Sequence, residues 1–158
     1  MELQITQPHP LLRKYISSYS FLDFRGSAAA LPSLMRFPSD GGAEILLVLG
    51  DPLYGGSTAE NLVKLDSARF IGPHSRSFYV QAQGHSRFVS VKFYPGRFRF
   101  FLGFPANELL NKSLPLADIW KNEADELHKK LLSCSAFEEM MRCLDRSFLM
   151  LVLNQSLK

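Results

Sequence analysis

A chain of 158 residues, 46% hydrophobic and 21% charged, has the size and composition of one globular domain. Its net charge of +3 is too mild to argue for nucleic acid, and its two cysteines, without CxxC spacing, are too few for a disulfide scaffold. The N-terminus lacks a basic-then-apolar leader and no apolar run approaches the roughly 20 residues of a bilayer span, so a cytoplasmic protein with no membrane partner is expected.

Pro8 and Pro10 open the chain, and Leu11, Leu12, Tyr15 and Ile16 recur at helical spacing, predicting a short amphipathic helix. An alternating aromatic run from Tyr19 to Phe24 predicts a first strand, and 26–32 a loop. A second short strand follows over 34–38, then the turn cluster Ser39-Asp40-Gly41-Gly42. The segment EILLVL at 44–49 is apolar on both faces and predicts a central buried strand. Residues 53–66 are polar and glycine-bearing, a surface excursion with one strand at 61–65.

Three strands come next, at 69–72, 77–83 and 87–94. In the last, Phe88, Ser90 and Lys92 share one face and Val89, Val91 and Phe93 the other. Gly84-His85 falls at a hairpin turn, and Pro95 should end the strand because it cannot donate to a ladder. A short helix at 97–102 is closed by Gly103 as a left-handed cap. Pro105 begins another helical turn to Leu110, and 116–120 is a further helical piece. Asn122 is the expected N-cap of a helix to about Leu132, and Ser135 with Glu138 forms a capping box for a final helix. That helix carries Phe137, Met140, Met141, Leu144, Phe148, Leu151 and Val152 as one stripe. The residues alone therefore describe a mainly β protein with C-terminal helices, an α+β fold.

The 35 residues from Phe70 to Phe104 hold no carboxylate. From 67 to 107 there are six bases (Arg69, Arg76, Arg87, Lys92, Arg97, Arg99) and no acid, while 1–66 holds five bases and seven acids and 108–158 seven and eight. All the positive excess is thus in the middle. In one reading Arg76 and Lys92, with Arg36 opposite, form a site for an anionic small molecule, because guanidinium groups grip carboxylate or phosphate bidentately. In the other these bases are solvated edge residues that discourage strand pairing, or they pair with acids of 1–66.

The order of features resembles a known family. A P-x-L-x-x-x-Y-I-like segment at 10–16 leads to an aromatic strand and then to EILLVL ending Gly50-Asp51-Pro52. I-G-P-H-S-R at 71–76, V-K-F-Y-P-G at 91–96, Leu102-Gly103 and L-A-D-I-W at 116–120 complete it. Over about residues 8–150 the chain is similar to the N-terminal sensor domain of AraC/XylS-type bacterial transcription regulators, in the branch catalogued as a domain of unknown function. The resemblance implies a cupin-like β-barrel sensor over 1–115, followed by a helical pair over 116–158 that mediates dimerisation. It also implies a homodimer, a small-molecule effector in or near the barrel, and DNA contact only through a C-terminal helix-turn-helix domain. No such helix pair follows before Lys158, so an excised sensor domain or a truncated product is expected, and DNA binding is not attributed to these residues.

On that frame the polar residues near barrel strands, Arg36, Glu44, His74, Arg76, Tyr79 and Lys92, are the ligand-binding candidates. The stripe Met140, Met141, Leu144, Phe148, Leu151 and Val152 is the dimer-interface candidate, its other reading being packing on the barrel. No metal and no cofactor are expected, since His9, His74, His85 and His128 include no H-x-H pair. No catalytic residue is assigned, because Gly55-Gly56-Ser57 is not a nucleophile elbow and neither cysteine has an activating neighbour. Two rival readings remain: a cupin-type metalloenzyme or small-molecule-binding protein, and a single-strand nucleic-acid module built on the basic, aromatic run at 87–96.

Overall fold

The structure, a computed structural model, describes residues 2–25, 33–37, 42–82, 84–103 and 108–156. In chain order the strands are β1 (Glu2–Thr6), β2 (Ile16–Arg25), β3 (Ser33–Phe37), β4 (Glu44–Val48), β5 (Leu53–Gly56), β6 (Val63–Lys64), β7 (Ala68–Ile71), β8 (Phe78–Ala82) and β9 (His85–Phe93). After α1 (Arg99–Leu102) come β10 (Ser113–Pro115), α2 (Ala117–Trp120), α3 (Asn122–Leu132) and α4 (Phe137–Ser156). The fold is mainly β with C-terminal helices. The strands form a six-stranded antiparallel sheet, ordered β1-β2-β9-β4-β7-β10, and a four-stranded one, ordered β3-β8-β5-β6. Both are open: among the described residues no ladder joins them into a closed barrel.

Strand alternation divides the core in two. Tyr19, Phe21, Ile45, Leu47, Val89, Val91 and Phe93 point to one side of the six-stranded sheet and pack with Phe98, Phe101, Leu127, Leu131, Met140, Leu144 and Phe148. Their neighbours Leu22, Leu46, Val48 and Phe88 point to the other side and pack with Leu53, Phe78, Val80 and Ala82 of the smaller sheet. The six-stranded sheet is therefore a middle layer, with helices on one face and the second sheet on the other. This is why β4 is apolar on both faces. The phenylalanines concentrate on the helical side, where Phe148 lies edge-on to Phe101 at 5.2 Å and to Phe93 at 6.1 Å between ring centroids.

Several local expectations hold. Gly103 caps α1 at φ 74°, and β9 ends at Phe93, two residues before Pro95. Phe98 and Phe101 are buried while Arg97 and Arg99 are exposed. Others need correction. The predicted first helix is a single 3₁₀ turn at Pro10–Leu12, because Ile16 already pairs with Phe93 at the start of β2. Leu12 is buried but Leu11 is exposed. Asn122 is the first residue of α3 rather than its cap, which is Lys121 in a positive-φ conformation. The box at the start of α4 uses Glu139, whose carboxylate accepts from the Ser135 backbone N–H at 3.3 Å and from its hydroxyl at 3.1 Å. Strands β1, β5 and β10 have no counterpart among the expected elements, and β5 falls in the expected surface excursion at 53–66. The loop at 26–32, the Ser39-Asp40-Gly41 part of the turn cluster and the helical turn beginning at Pro105 lie outside the described residues.

Three of the six dimer-interface candidates are buried within the chain itself and three are half-buried. Met140, Leu144 and Phe148 are at most 2% exposed and belong to the chain's own core, with Met141, Leu151 and Val152 packed against it. The stripe lies on the middle sheet because that sheet's helical face is otherwise uncovered. The exposed apolar residues of α4 are Met150 and Leu153, which lie off the stripe. No helix of the described residues is long and apolar enough to cross a membrane.

Candidate functional site

The face of the middle sheet turned to the smaller sheet is apolar at one end and polar at the other. The apolar end holds Leu22, Leu46, Val48 and Phe88. At the polar end the same faces of β2, β9 and β4 present Ser18 and Ser20, Ser90 and Lys92, and Glu44. Glu44 and Lys92 are directly opposed in the β4–β9 ladder, and Ser18 opposes Lys92 in the β2–β9 ladder. Directly opposed residues on one face lie within side-chain reach. The Ser90 hydroxyl donates to Glu44 Oε2 at 2.9 Å, so the carboxylate is held from the adjoining strand.

A β-bulge shapes the edge of this end. Ile16 opposes Phe93 and Ser18 opposes Lys92, leaving Ser17 as the extra residue. Its hydroxyl donates to the Lys92 carbonyl at 3.1 Å. A cavity of about 360 Å³ opens here, lined by Ser17, Ser18, Gly42, Lys92, Tyr94 and Pro95. Lys92, Ser17 and Ser18 in this lining can hold a small polar or anionic molecule, with Glu44 on the neighbouring strand beside Lys92. Among the described residues no three His, Cys, Asp or Glu side chains gather as a metal site would require.

Of the six ligand-binding candidates the structure brings together Glu44 and Lys92. His74 lies in the β7–β8 connection, half-buried, with its ring Nδ1 2.6 Å from the Gly72 carbonyl and its ring 5.1 Å from Phe78. Arg76 is exposed in the same connection. Arg36 and Tyr79 do oppose each other in the β3–β8 ladder, but on the outer face of the smaller sheet. Phe78, Val80 and Ala82 take the inner positions of β8, so alternation turns Tyr79 outward. Arg36 and Tyr79 are therefore removed from the candidate site. Sequence reasoning missed Ser17, Ser18 and Gly42. The interleaved serines of β2 were the available signal, since an aromatic strand with hydroxyls on one face needs somewhere to place them.

Besides Lys92, which faces Glu44, Arg69 and Arg87 answer to acids of the first 66 residues. Arg69 Nη1 lies 2.8 Å from Asp66 Oδ2, and its Nε donates to the Ser113 hydroxyl at 2.7 Å. Arg87 Nε lies 3.5 Å from Asp23, which also meets His85 Nε2 at 2.9 Å, and the guanidinium stands 5.7 Å over the Phe21 ring. Arg76, Arg97 and Arg99 are exposed. Lys92 is the one member of the set at the mouth of the inter-sheet space. The nucleic-acid platform loses its aromatic face, because Val89, Val91 and Phe93 are buried beneath the helices.

Residues 4–115 match the family described as a domain of unknown function (DUF6597), and the chain belongs to that family. No curated protein matches the chain. The matched segment runs from β1 to the end of β10, so it contains both sheets and the whole polar mouth.

Proposed function

We propose that this DUF6597 member is the effector-sensing and dimerisation domain of a bacterial transcription regulator of AraC/XylS type, working in the cytoplasm and reaching DNA through a separate domain. The observation that carries the reading is the position of the Glu44–Lys92 pair: it lies on the inter-sheet face of the same sheet whose opposite face carries the helices. A small anionic effector held by Lys92 and the serines would bias β2, β4 and β9, and with them the seating of α4. The homodimer would use the exposed side of α4, at Met150 and Leu153, rather than the buried stripe.

The test is a thermal-shift screen of small organic anions on the wild-type chain and a Lys92→Met variant, with solution mass measured by light scattering. An effector raises the wild-type melting temperature, because binding to the native state alone is stabilising, and fails to raise that of the variant. The wild-type chain is a dimer that Met150→Glu with Leu153→Glu converts to a folded monomer. A screen in which no anion distinguishes the two proteins would sink the sensing claim, and a wild-type monomer at high concentration the dimer claim.

A further inference from the structure

A second cavity lies not at the polar mouth but at the other end of β4, four residues or about 13 Å along the strand. It measures about 580 Å³ and lies where the end of β4, the β6–β7 connection and the C-terminal half of α3 meet. That size is within the roughly 300–1,000 Å³ of small-molecule sites. Its walls are largely apolar, from Val48, Leu49, Leu65 and Leu132. Leu132 is 52% exposed, whereas Leu127 and Leu131 of the same helix are buried.

Four polar side chains also line it: Lys64, Asp66, Ser67 and His128. Asp66 is already neutralised by Arg69 at 2.8 Å. His128 sets its Nε2 2.6 Å from the Val48 carbonyl. A carbonyl oxygen only accepts, so Nε2 carries the hydrogen and Nδ1 is left as the ring's one further hydrogen-bonding atom. Lys64 is exposed and makes no ion pair among the described residues. The cavity thus offers an apolar bed, one cation without an ion pair among the described residues, and one further imidazole nitrogen. A cationic guest would meet Lys64 with no free carboxylate to offset it.

We propose that this cavity is a second binding site, selective for a small monoanion with a compact apolar body. The anionic group meets Lys64 and the body lies on Leu65 and Leu132. The site is independent of the regulator reading, because it uses neither the polar mouth nor the dimer surface. Its occupant would touch the His128–Val48 hydrogen bond, a direct polar tie between α3 and the middle sheet.

The experiment uses the full chain, labelled with nitrogen-15, titrated with 2-naphthoate and with its uncharged amide, 2-naphthamide. Naphthoate should move the amide signals of Val48, Leu49, Ser67 and Leu132 and bind about fivefold more tightly than the amide, the scale of a partly exposed charge contact. Lys64→Glu should erase that preference without altering thermal unfolding, since its side chain lies at the surface. Equal affinity of the two probes, a preference that survives Lys64→Glu, shifts centred on Ser18 and Lys92, or no shift up to the solubility limit would each overturn the proposal.

Discussion

The Tyr19 hydroxyl donates to Asp145 Oδ1 at 2.9 Å, joining the centre of β2 to the middle of α4 across 126 residues. The same oxygen accepts the His9 backbone N–H at 3.0 Å, so one carboxylate fastens both the entry of the chain and its final helix. Tyr19 is fully buried, and without that acceptor its hydroxyl would be an unsatisfied polar group in an aromatic core. The tie also explains why α4 lies along the sheet in one register: an apolar stripe can slide, whereas a hydrogen bond to a fixed phenol cannot.

Replacing Tyr19 with Phe should lower unfolding stability by about 1.5–3 kcal/mol, the worth of a hydrogen bond to a charged acceptor. Burial first, and the neighbouring Asp145 charge second, hold the Tyr19 phenol well above its ordinary pKa. A folded-state pKa raised above the unfolded value of about 10 gives stability that is intact below pH 10 and lost above it, as the unfolded chain ionises and the folded chain does not. Urea unfolding between pH 9 and 11.5 should therefore show the wild type losing stability more steeply than Tyr19→Phe, by about 1.4 kcal/mol per pH unit at the upper end. Parallel profiles would contradict the burial argument.

Gly72 and Gly96 should respond differently to alanine. A Cβ at Gly72 would overlap the backbone carbonyls of Leu109 and Lys112, and Gly72 also donates its N–H to the Lys112 carbonyl at 2.8 Å. Backbone cannot step aside as a side-chain tip can, so Gly72→Ala should cost about 2–3 kcal/mol in a denaturant melt. Gly96 has open space around it but a φ of 76°, so Gly96→Ala should cost only the left-handed strain, about 1 kcal/mol. The order of the two midpoints is the check.

Phe148→Ala should cost about 3–5 kcal/mol, because the ring is fully buried among Phe93, Phe101 and Trp120. Met150→Ala, on the exposed side of the same helix, should stay within about 0.5 kcal/mol in the isolated chain at low concentration. Matching losses at the two positions would show that the stripe does not lie on the sheet.

The two thiols should react sluggishly. Burial raises the pKa of Cys134 and of Cys143, and the charges of Glu139 and of the facing Cys134 respectively raise them further. The thiolate is the nucleophile, so alkylation by iodoacetamide at pH 7.5 should be slower at both positions than for free cysteine and should accelerate well above the usual thiol range. Peptide mass spectrometry of a timed alkylation series separates the two sites, and fast labelling of either at pH 7.5 would refute the assignment.

What could be read from the residues alone follows from how each signal arises. Strand β9 was legible because Phe88, Ser90, Lys92 and Val89, Val91, Phe93 form two clean sets, and the glycine and proline signals at Gly103 and Pro95 act through local sterics. Strand β1 was not legible: Leu3 and Ile5 are exposed on an edge strand that holds its place only by pairing with β2, which is a long-range property. Strand β5 was hidden for a related reason. Its Gly55 sits against the Leu65 and Phe78 side chains, so the glycine that looked like a loop residue is one that close packing requires. In the candidate site, Glu44 and Lys92 were found by their polarity, but their pairing depends on the β4–β9 register. Arg36 and Tyr79 were misplaced because polarity does not reveal which face of a sheet is inside.

The middle sheet has one further consequence. Leu46 and Leu47 are adjacent residues, both fully buried, one in each of the two apolar clusters. A backbone rotation in β4 large enough to reseat one would displace the other in the opposite sense. The sheet is thus a shared partition: pressure on one room is felt in the next without any moving loop, hinge or lid to carry the message.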